Sequence, residues 1–239
     1  MRSRPQLRGR PAVPILKQHG ISPKHRRAIT PALPAWLTVA FVNRALRRQS
    51  TWDRGNQVLY DLCRQCPGHH ELDQIVAKVW LIGRSYAAAI ERGAEIEEDE
   101  DFYVERVAPA MRSARIDRWF SPLRGLKRPD AAAVVPVHAR LTGLFKKISG
   151  KEKRSLASKY LHFHFPKSVY IFDERAARGI RVVTSAQRLR DLPFKECDNT
   201  YARFFLRCAG FHAALEALTG RHMSPREVDT VLLAVADHG

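Results

Sequence analysis

A lysine and an aspartate that could act together lie in one short stretch, "SLASKYLHFHFPKSVYIFDERAARGI" (155–180). A lysine becomes a nucleophile when burial or neighbouring cations lower the pKa of its amine. A fixed carboxylate stabilises positive charge that develops on a reacting carbon. Lys159 and Asp173 are therefore the first candidates for covalent chemistry.

The elements around this pair can be predicted from the spacing of apolar residues. A helix over 155–165 would turn one face to the core, formed by Leu156, Ala157, Tyr160, Leu161 and His164. Ser155, Lys159 and His162 fall on another, polar side, so we expect Lys159 to lie outside the core. Pro166 ends the helix, "VYIF" crosses back through the core, and Asp173 begins the next helix, where it accepts backbone N–H bonds. The pair would then face one cleft.

This layout resembles the helix-hairpin-helix DNA glycosylases, and is most similar to the branch with the 8-oxoguanine DNA glycosylase fold. The matching residues are Ser158-Lys159, then "YLHFHF", then "YIFDERA" with Asp173 and Arg175. The resemblance implies that the lysine attacks the sugar C1′ to form a Schiff base, and that the aspartate stabilises positive charge on the sugar.

The resemblance leads to a specific set of expectations. The protein would bind double-stranded DNA as a monomer, flip a damaged or modified base into an aromatic-lined pocket and break its N-glycosidic bond. Such an enzyme would serve in DNA repair or in defence against phage DNA. We expect Asp173 and Lys159 to be catalytic and no metal or cofactor to be needed. The predicted DNA contacts are Arg175, His162, Ser155, Lys153, Arg154 and Arg84.

Helical spacing continues along most of the chain from Trp36, and no alternating run indicates a hairpin of strands. The sequence predicts an all-α protein of roughly eight to ten helices. The longest would be "ELDQIVAKVWLIGRSYAAAIERG", ending at Gly93. Two helices would meet around Ser149-Gly150, and the last would begin with Ser224 as N-cap and Pro225 at its first position.

Charge divides the chain into a basic leader and a modestly basic body. The whole chain carries 41 Lys and Arg against 24 Asp and Glu, a net charge of +17. Residues 1–50 contain 11 of these cations and no acid, which leaves 41 − 11 = 30 cations against 24 acids elsewhere. Such an excess favours polyanions. We interpret residues 1–34, rich in proline and arginine, as a flexible basic arm, and residues 35–239 as one helical domain.

No apolar run is long enough to span a membrane, and the sequence shows no convincing signal peptide. We therefore expect a cytoplasmic protein.

Four other interpretations compete with the glycosylase hypothesis. "CRQCPGHH" could bind zinc through Cys63, Cys66 and the two histidines that follow, or could be the end of a core helix. An Arg-His pair of the kind found in all-α ribonucleases occurs as Arg207 with His212 and again as Arg64 with His69. Arg84, in an apolar helix, could form a structural ion pair instead of a DNA contact. The basic charge alone would also suit a non-enzymatic nucleic-acid-binding protein.

Overall fold

A computed structural model describes residues 31–47, 51–184, 192, 194 and 197–238. Within those residues the secondary structure is helical, with ten α-helices and no strand, as the sequence predicts. The helices, numbered α1 to α10, span Val39–Arg47, Thr51–Gln65, Leu72–Ser85, Ala108–Ser113, Ile116–Phe120, Ala131–Ser149, Arg154–His164, Glu174–Thr184, Asn199–Thr219 and Pro225–Ala236. A π-helical turn, Phe102–Val107, runs into α4, and a 3-10 turn, Ser121–Leu123, follows α5.

Helices α6 and α7 form a helical hairpin closed by residues 150–153. Asp130 caps the start of α6 by accepting bonds from the backbone N–H groups of Ala132 and Ala133. Gly150 ends it with φ of 69°, a left-handed conformation in which glycine carries no Cβ penalty. The predicted junction at Ser149-Gly150 is confirmed. The last helix, α10, also begins as predicted, with a capping box between Ser224 and Glu227 and Pro225 at its first position.

Helix α3 is shorter than the sequence predicts, because it ends at Ser85 and not at Gly93. The backbone N–H of Ala88 donates to Gly83 O, and that of Ala87 donates to Arg84 O. These two bonds form a Schellman motif in which Ala87, with φ of 49°, occupies the position that glycine usually takes. The sequence carried no glycine at this stop, so the end of α3 was missed. At 21 residues, α9 is longer than α3, which has 14.

Helix α7 lies at the centre of the molecule, where α2, α3 and α6 pack against it. Every residue from 156 to 163 is buried, including the predicted polar side of the helix. The expectation that Lys159 lies outside the core is therefore wrong. The spacing along one helix identifies its polar side, but it does not show that neighbouring helices cover that side.

Helices α8 and α10 approach each other at Gly179. A Cβ built on Gly179 would lie 2.2 Å from the backbone oxygen of Leu232. Only glycine permits this approach, which sets α10 against the helix that begins after Asp173.

The predicted arm, residues 1–34, lies outside the described residues except for 31–34, where Leu33 packs against the core. In the described part of the chain, no helix combines the length and apolar character needed to cross a bilayer.

Candidate active site around Lys159 and Asp173

The structure brings Lys159 and Asp173 together. The Nζ atom of Lys159 lies 3.4 Å from Oδ2 of Asp173 and donates a hydrogen bond to Ser155 Oγ at 2.7 Å. It also lies 5.5 Å from the centre of the Tyr86 ring, within the range of a cation–π contact. The side chain of Lys159 is 2% exposed, whereas that of Asp173 is 30% exposed. A molecule arriving from solvent therefore meets the carboxylate first and the amine behind it.

Asp173 is fixed by the chain on both sides of it. Its Oδ1 accepts a bond from the backbone N–H of Ala176 at 2.8 Å, so it caps α8 as predicted. On the other side, the backbone N–H of Phe172 donates to Ser158 Oγ at 2.9 Å, which ties the segment 169–172 to α7. Residues 169–171 are buried, as expected for a segment that crosses the core. Pro166 and this segment thus return the chain beside the helix of Lys159.

The burial of Lys159 changes the chemistry of its amine. Desolvation lowers the pKa of Lys159, and the nearby charge of Asp173 opposes that effect only in part. The fraction of neutral amine at physiological pH is therefore larger than for a lysine in water. A neutral amine is the form that can attack an electrophilic carbon.

A second carboxylate, Asp229 on α10, interacts electrostatically with Lys159 and Asp173. We call these three residues, with the side chains that contact them, the Lys159 cluster. Asp229 is 5% exposed, and its Oδ2 pairs with Arg226 Nη1 at 2.7 Å. Burial raises the pKa of Asp229 to about 6. The positive charges of Arg226 and Lys159 oppose this rise, and the negative charge of Asp173 adds to it. Sequence reasoning missed this residue, although a signal was present. Asp229 is an acid within an otherwise apolar helical stretch, "VDTVLLAVA".

Two buried polar atoms in or beside this cluster have no hydrogen-bond partner. One is Oδ1 of Asp229, an acceptor, and the other is Nδ2 of Asn56, a donor. The amide oxygen of Asn56 accepts from Tyr86 Oη at 2.6 Å, which connects it to the ring beside Lys159. An unpartnered buried polar atom costs about 1–3 kcal/mol. Each such atom requires a partner that the protein side chains do not supply, such as a water molecule or a polar group of a ligand.

His162, a predicted DNA contact, is not available for that role. It is fully buried, its Nδ1 lies 2.8 Å from Val169 O, and its Nε2 lies 2.7 Å from Tyr60 Oη. Since a carbonyl only accepts, Nδ1 carries the proton and Nε2 accepts from the tyrosine. Burial lowers the pKa of His162 to about 4. The prediction for His162 is wrong, because the polar side of α7 is covered by α2.

The other predicted DNA contacts form bonds within the protein. Arg154 pairs with Asp198 and with Glu152. Lys153 Nζ donates to Arg92 O at 2.6 Å. Ser155 Oγ accepts from Lys159.

The two remaining arginines of that set are half exposed and ion-paired. Arg84 lies 2.5 Å from Glu91, which agrees with the structural interpretation of this residue, and Arg175 pairs with Asp237. Each of them must exchange or share its partner to bind a phosphate.

Neither Arg-His pair presents its histidine to solvent. His212 is 1% exposed, with Nδ1 2.9 Å from Tyr170 Oη and Nε2 2.8 Å from Met223 O. His69 is 2% exposed and lies between Asp117 and Tyr160. Both histidines of the Arg-His pairs are thus core residues. Among the described residues, no group of three or more potential ligands is placed to hold a metal ion.

Comparisons with models of known protein families, with curated proteins and with solved structures give no match for this chain.

Proposed function

We propose that this protein is a DNA N-glycosylase in which Asp173 and Lys159 act on the sugar of a flipped nucleotide. The observation that carries the proposal is the contact between a desolvated amine and a partly exposed carboxylate at 3.4 Å. The α6–α7 hairpin and the return segment 169–172 hold the two groups in place.

The proposed reaction breaks the bond between C1′ and the base nitrogen. The base leaves with the electron pair of that bond and takes up a proton, while positive charge develops on the sugar. The carboxylate of Asp173 stabilises that charge. The neutral amine of Lys159 then forms a bond to C1′ and passes the proton that it loses to the departed base. The nitrogen lone pair next expels the ring oxygen O4′, which takes up a proton from water, and water hydrolyses the resulting Schiff base.

Binding of DNA would use cations at the tip of the hairpin. Lys147 and Lys151 are exposed on either side of Gly150, beside the start of the helix that carries Lys159. Cations in this position neutralise phosphate charge without reading sequence. The net charge of +17 favours such a polyanionic partner.

The test is release of free base, measured by mass spectrometry, from a panel of duplex DNAs. The panel holds oxidised, deaminated, alkylated and phage-type modified bases, each incubated with the full chain. The proposal predicts release of a base from at least one class of duplex. Binding of DNA with no base released from any class would contradict it and would favour a non-enzymatic binding protein.

A further inference from the structure

A cavity lies near the C-terminal end of α7 and has no part in the reaction proposed above. Its volume is about 830 Å³, which falls within the range typical of small-molecule sites. Its walls include the rings of Tyr60, Phe120, Phe163 and Phe165. Neither Lys159 nor Asp173 lines it. The ring of Phe163 packs against both Tyr60 and Tyr86, so a row of aromatic side chains stands between this cavity and the lysine.

Asp117 places a negative charge on the wall of the cavity. Its Oδ1 lies 2.8 Å from His69 Nδ1, and its Oδ2 accepts from the backbone N–H of His69 at 2.9 Å. Although burial acts in the opposite direction, these bonds hold the pKa of Asp117 below its usual value. The carboxylate therefore stays ionised, and its remaining lone pairs can accept from N–H groups of a ligand.

His164 also lines the cavity. Its Nε2 is buried and has no hydrogen-bond partner. The imidazole packs against Phe120 and His69, with ring centres 5.4 Å and 5.2 Å apart. Burial lowers the pKa of His164 well below its usual value, so the ring is neutral. A ligand that reached Nε2 would satisfy a group that the protein leaves without a partner.

The mouth of the cavity is basic. Arg64, Arg124 and Lys167 line it and are exposed. Arg64 shares its charge with Asp61 at 2.8 Å. The cavity has aromatic walls, hydrogen-bonding side chains and cations at its mouth. These match three features of a nucleotide, namely the planar face of its base, the polar edge of that base and its phosphate.

We propose that this cavity binds a nucleotide, with the base among the aromatic rings, its polar edge at Asp117 and His164, and its phosphate at Arg124 and Lys167. The nucleotide comes either from solution or from a DNA strand held by the protein. This proposal does not depend on the glycosylase proposal, because no residue of the Lys159 cluster lines the cavity.

The test measures affinity by calorimetry on the full chain, with 5′-deoxymononucleotides and with a short single-stranded oligodeoxynucleotide as separate probes. Two variants are compared with wild type. His164→Phe keeps the ring and removes its nitrogens, and Arg124→Ala removes a cation at the mouth. Each should weaken binding about fivefold to tenfold, the value of one hydrogen bond or one phosphate contact. Arg140→Ala, an exposed arginine on α6 that does not line the cavity, is the matched control and should bind as wild type does.

The outcomes separate the two sources of the nucleotide. Mononucleotide binding that both variants weaken identifies a site for a free nucleotide. If the two variants weaken binding of the oligonucleotide only, the cavity is a site for a nucleotide of the strand. Equal affinities in wild type and both variants, or no binding of either probe, would overturn the proposal. His164→Phe should not lower the melting temperature, because it removes an unsatisfied buried atom. If it does unfold, the surface variant Arg124→Ala still decides the question.

Discussion

At Lys159, desolvation and the neighbouring carboxylate act in opposite directions on the pKa of the amine, and desolvation prevails. The chain contains a second buried lysine, Lys78, with a different environment. Its Nζ donates to Cys66 O at 2.8 Å and to Gly68 O at 2.6 Å, and burial lowers its pKa to about 8. Both lysines have a lowered pKa, but Lys159 has a partly exposed carboxylate beside it. Position, and not the pKa alone, distinguishes the proposed nucleophile.

Borohydride trapping can test the role of Lys159 directly. Reduction of the Schiff base should join the protein to DNA that contains the substrate base, and peptide mapping should place the adduct on Lys159 and not on Lys78. Lys159→Gln should give no adduct, because the amine is absent. An adduct on another lysine, or full base release by Lys159→Gln, would contradict the assignment. Base release without any adduct in wild type would show that water is the nucleophile.

At the level of helices, the α8–α10 contact sets Asp229 and Arg226 on α10 near Asp173, the cap of α8. The approach of the two helices depends on Gly179, where a Cβ would lie 2.2 Å from Leu232 O. Since that atom is backbone, the helices must move apart to admit a side chain.

Gly179→Ala should therefore lower the free energy of unfolding by about 1–3 kcal/mol or more, through overpacking. It should also reduce base release, because it displaces α10 from Asp173. The matched control is Gly143→Ala in α6, where a Cβ meets nothing within 4 Å. The control should raise stability by about 0.5–1 kcal/mol, the difference between glycine and alanine in a helix. Urea unfolding measures both, and equal effects of the two substitutions would contradict this account of the contact.

The sequence predicted the helices whose ends are marked by a capping residue, a glycine or a proline. Gly150, Pro166 and the Ser224-Pro225 pair each mark a boundary that the structure has. The end of α3 was missed because its left-handed residue is Ala87, so no glycine marked the stop. The pairing of Lys159 with Asp173 was predictable, since it depends on one short return of the chain. The burial of Lys159 was not predictable, because it depends on helices distant in sequence. The acid in the apolar stretch around Asp229 was a visible signal, but its placement beside Lys159 and Asp173 depends on the packing of α10 against α8.

On the scale of the whole molecule, the core holds several neutral histidines. Burial lowers the pKa of His69, His138 and His162 to about 4 in each case. In the unfolded chain these groups take up protons below about pH 6.5. The unfolded state therefore binds more protons between about pH 6 and pH 4, and the folded state loses stability as the pH falls through that range.

Denaturant unfolding between pH 7.5 and pH 4.5 should show this loss. The three histidines contribute about 4 kcal/mol per pH unit, and His164 adds to this loss because burial lowers its pKa in the same direction. Asp229 contributes in the opposite direction. Its pKa is raised in the folded state, so its protonation stabilises the fold as the pH falls, and this offsets the contribution of about one histidine. His162→Gln should flatten the profile, whereas replacement of His70, which is 83% exposed, should leave it unchanged. A free energy of unfolding that stays constant from pH 6 to pH 4.5 would show that these histidines are not buried and neutral.

The central claim is that Asp173 acts on the sugar of DNA, and the rate of base release tests it most directly. Asn also caps helices, so Asp173→Asn keeps the cap of α8 and removes only the charge. Asp198→Asn is the matched control, since Asp198 caps α9 and pairs with Arg154. On the base identified by the panel, we predict that the control releases base at close to the wild-type rate and that Asp173→Asn is slower by about 10²–10³-fold. Release by Asp173→Asn at the wild-type rate would contradict the account.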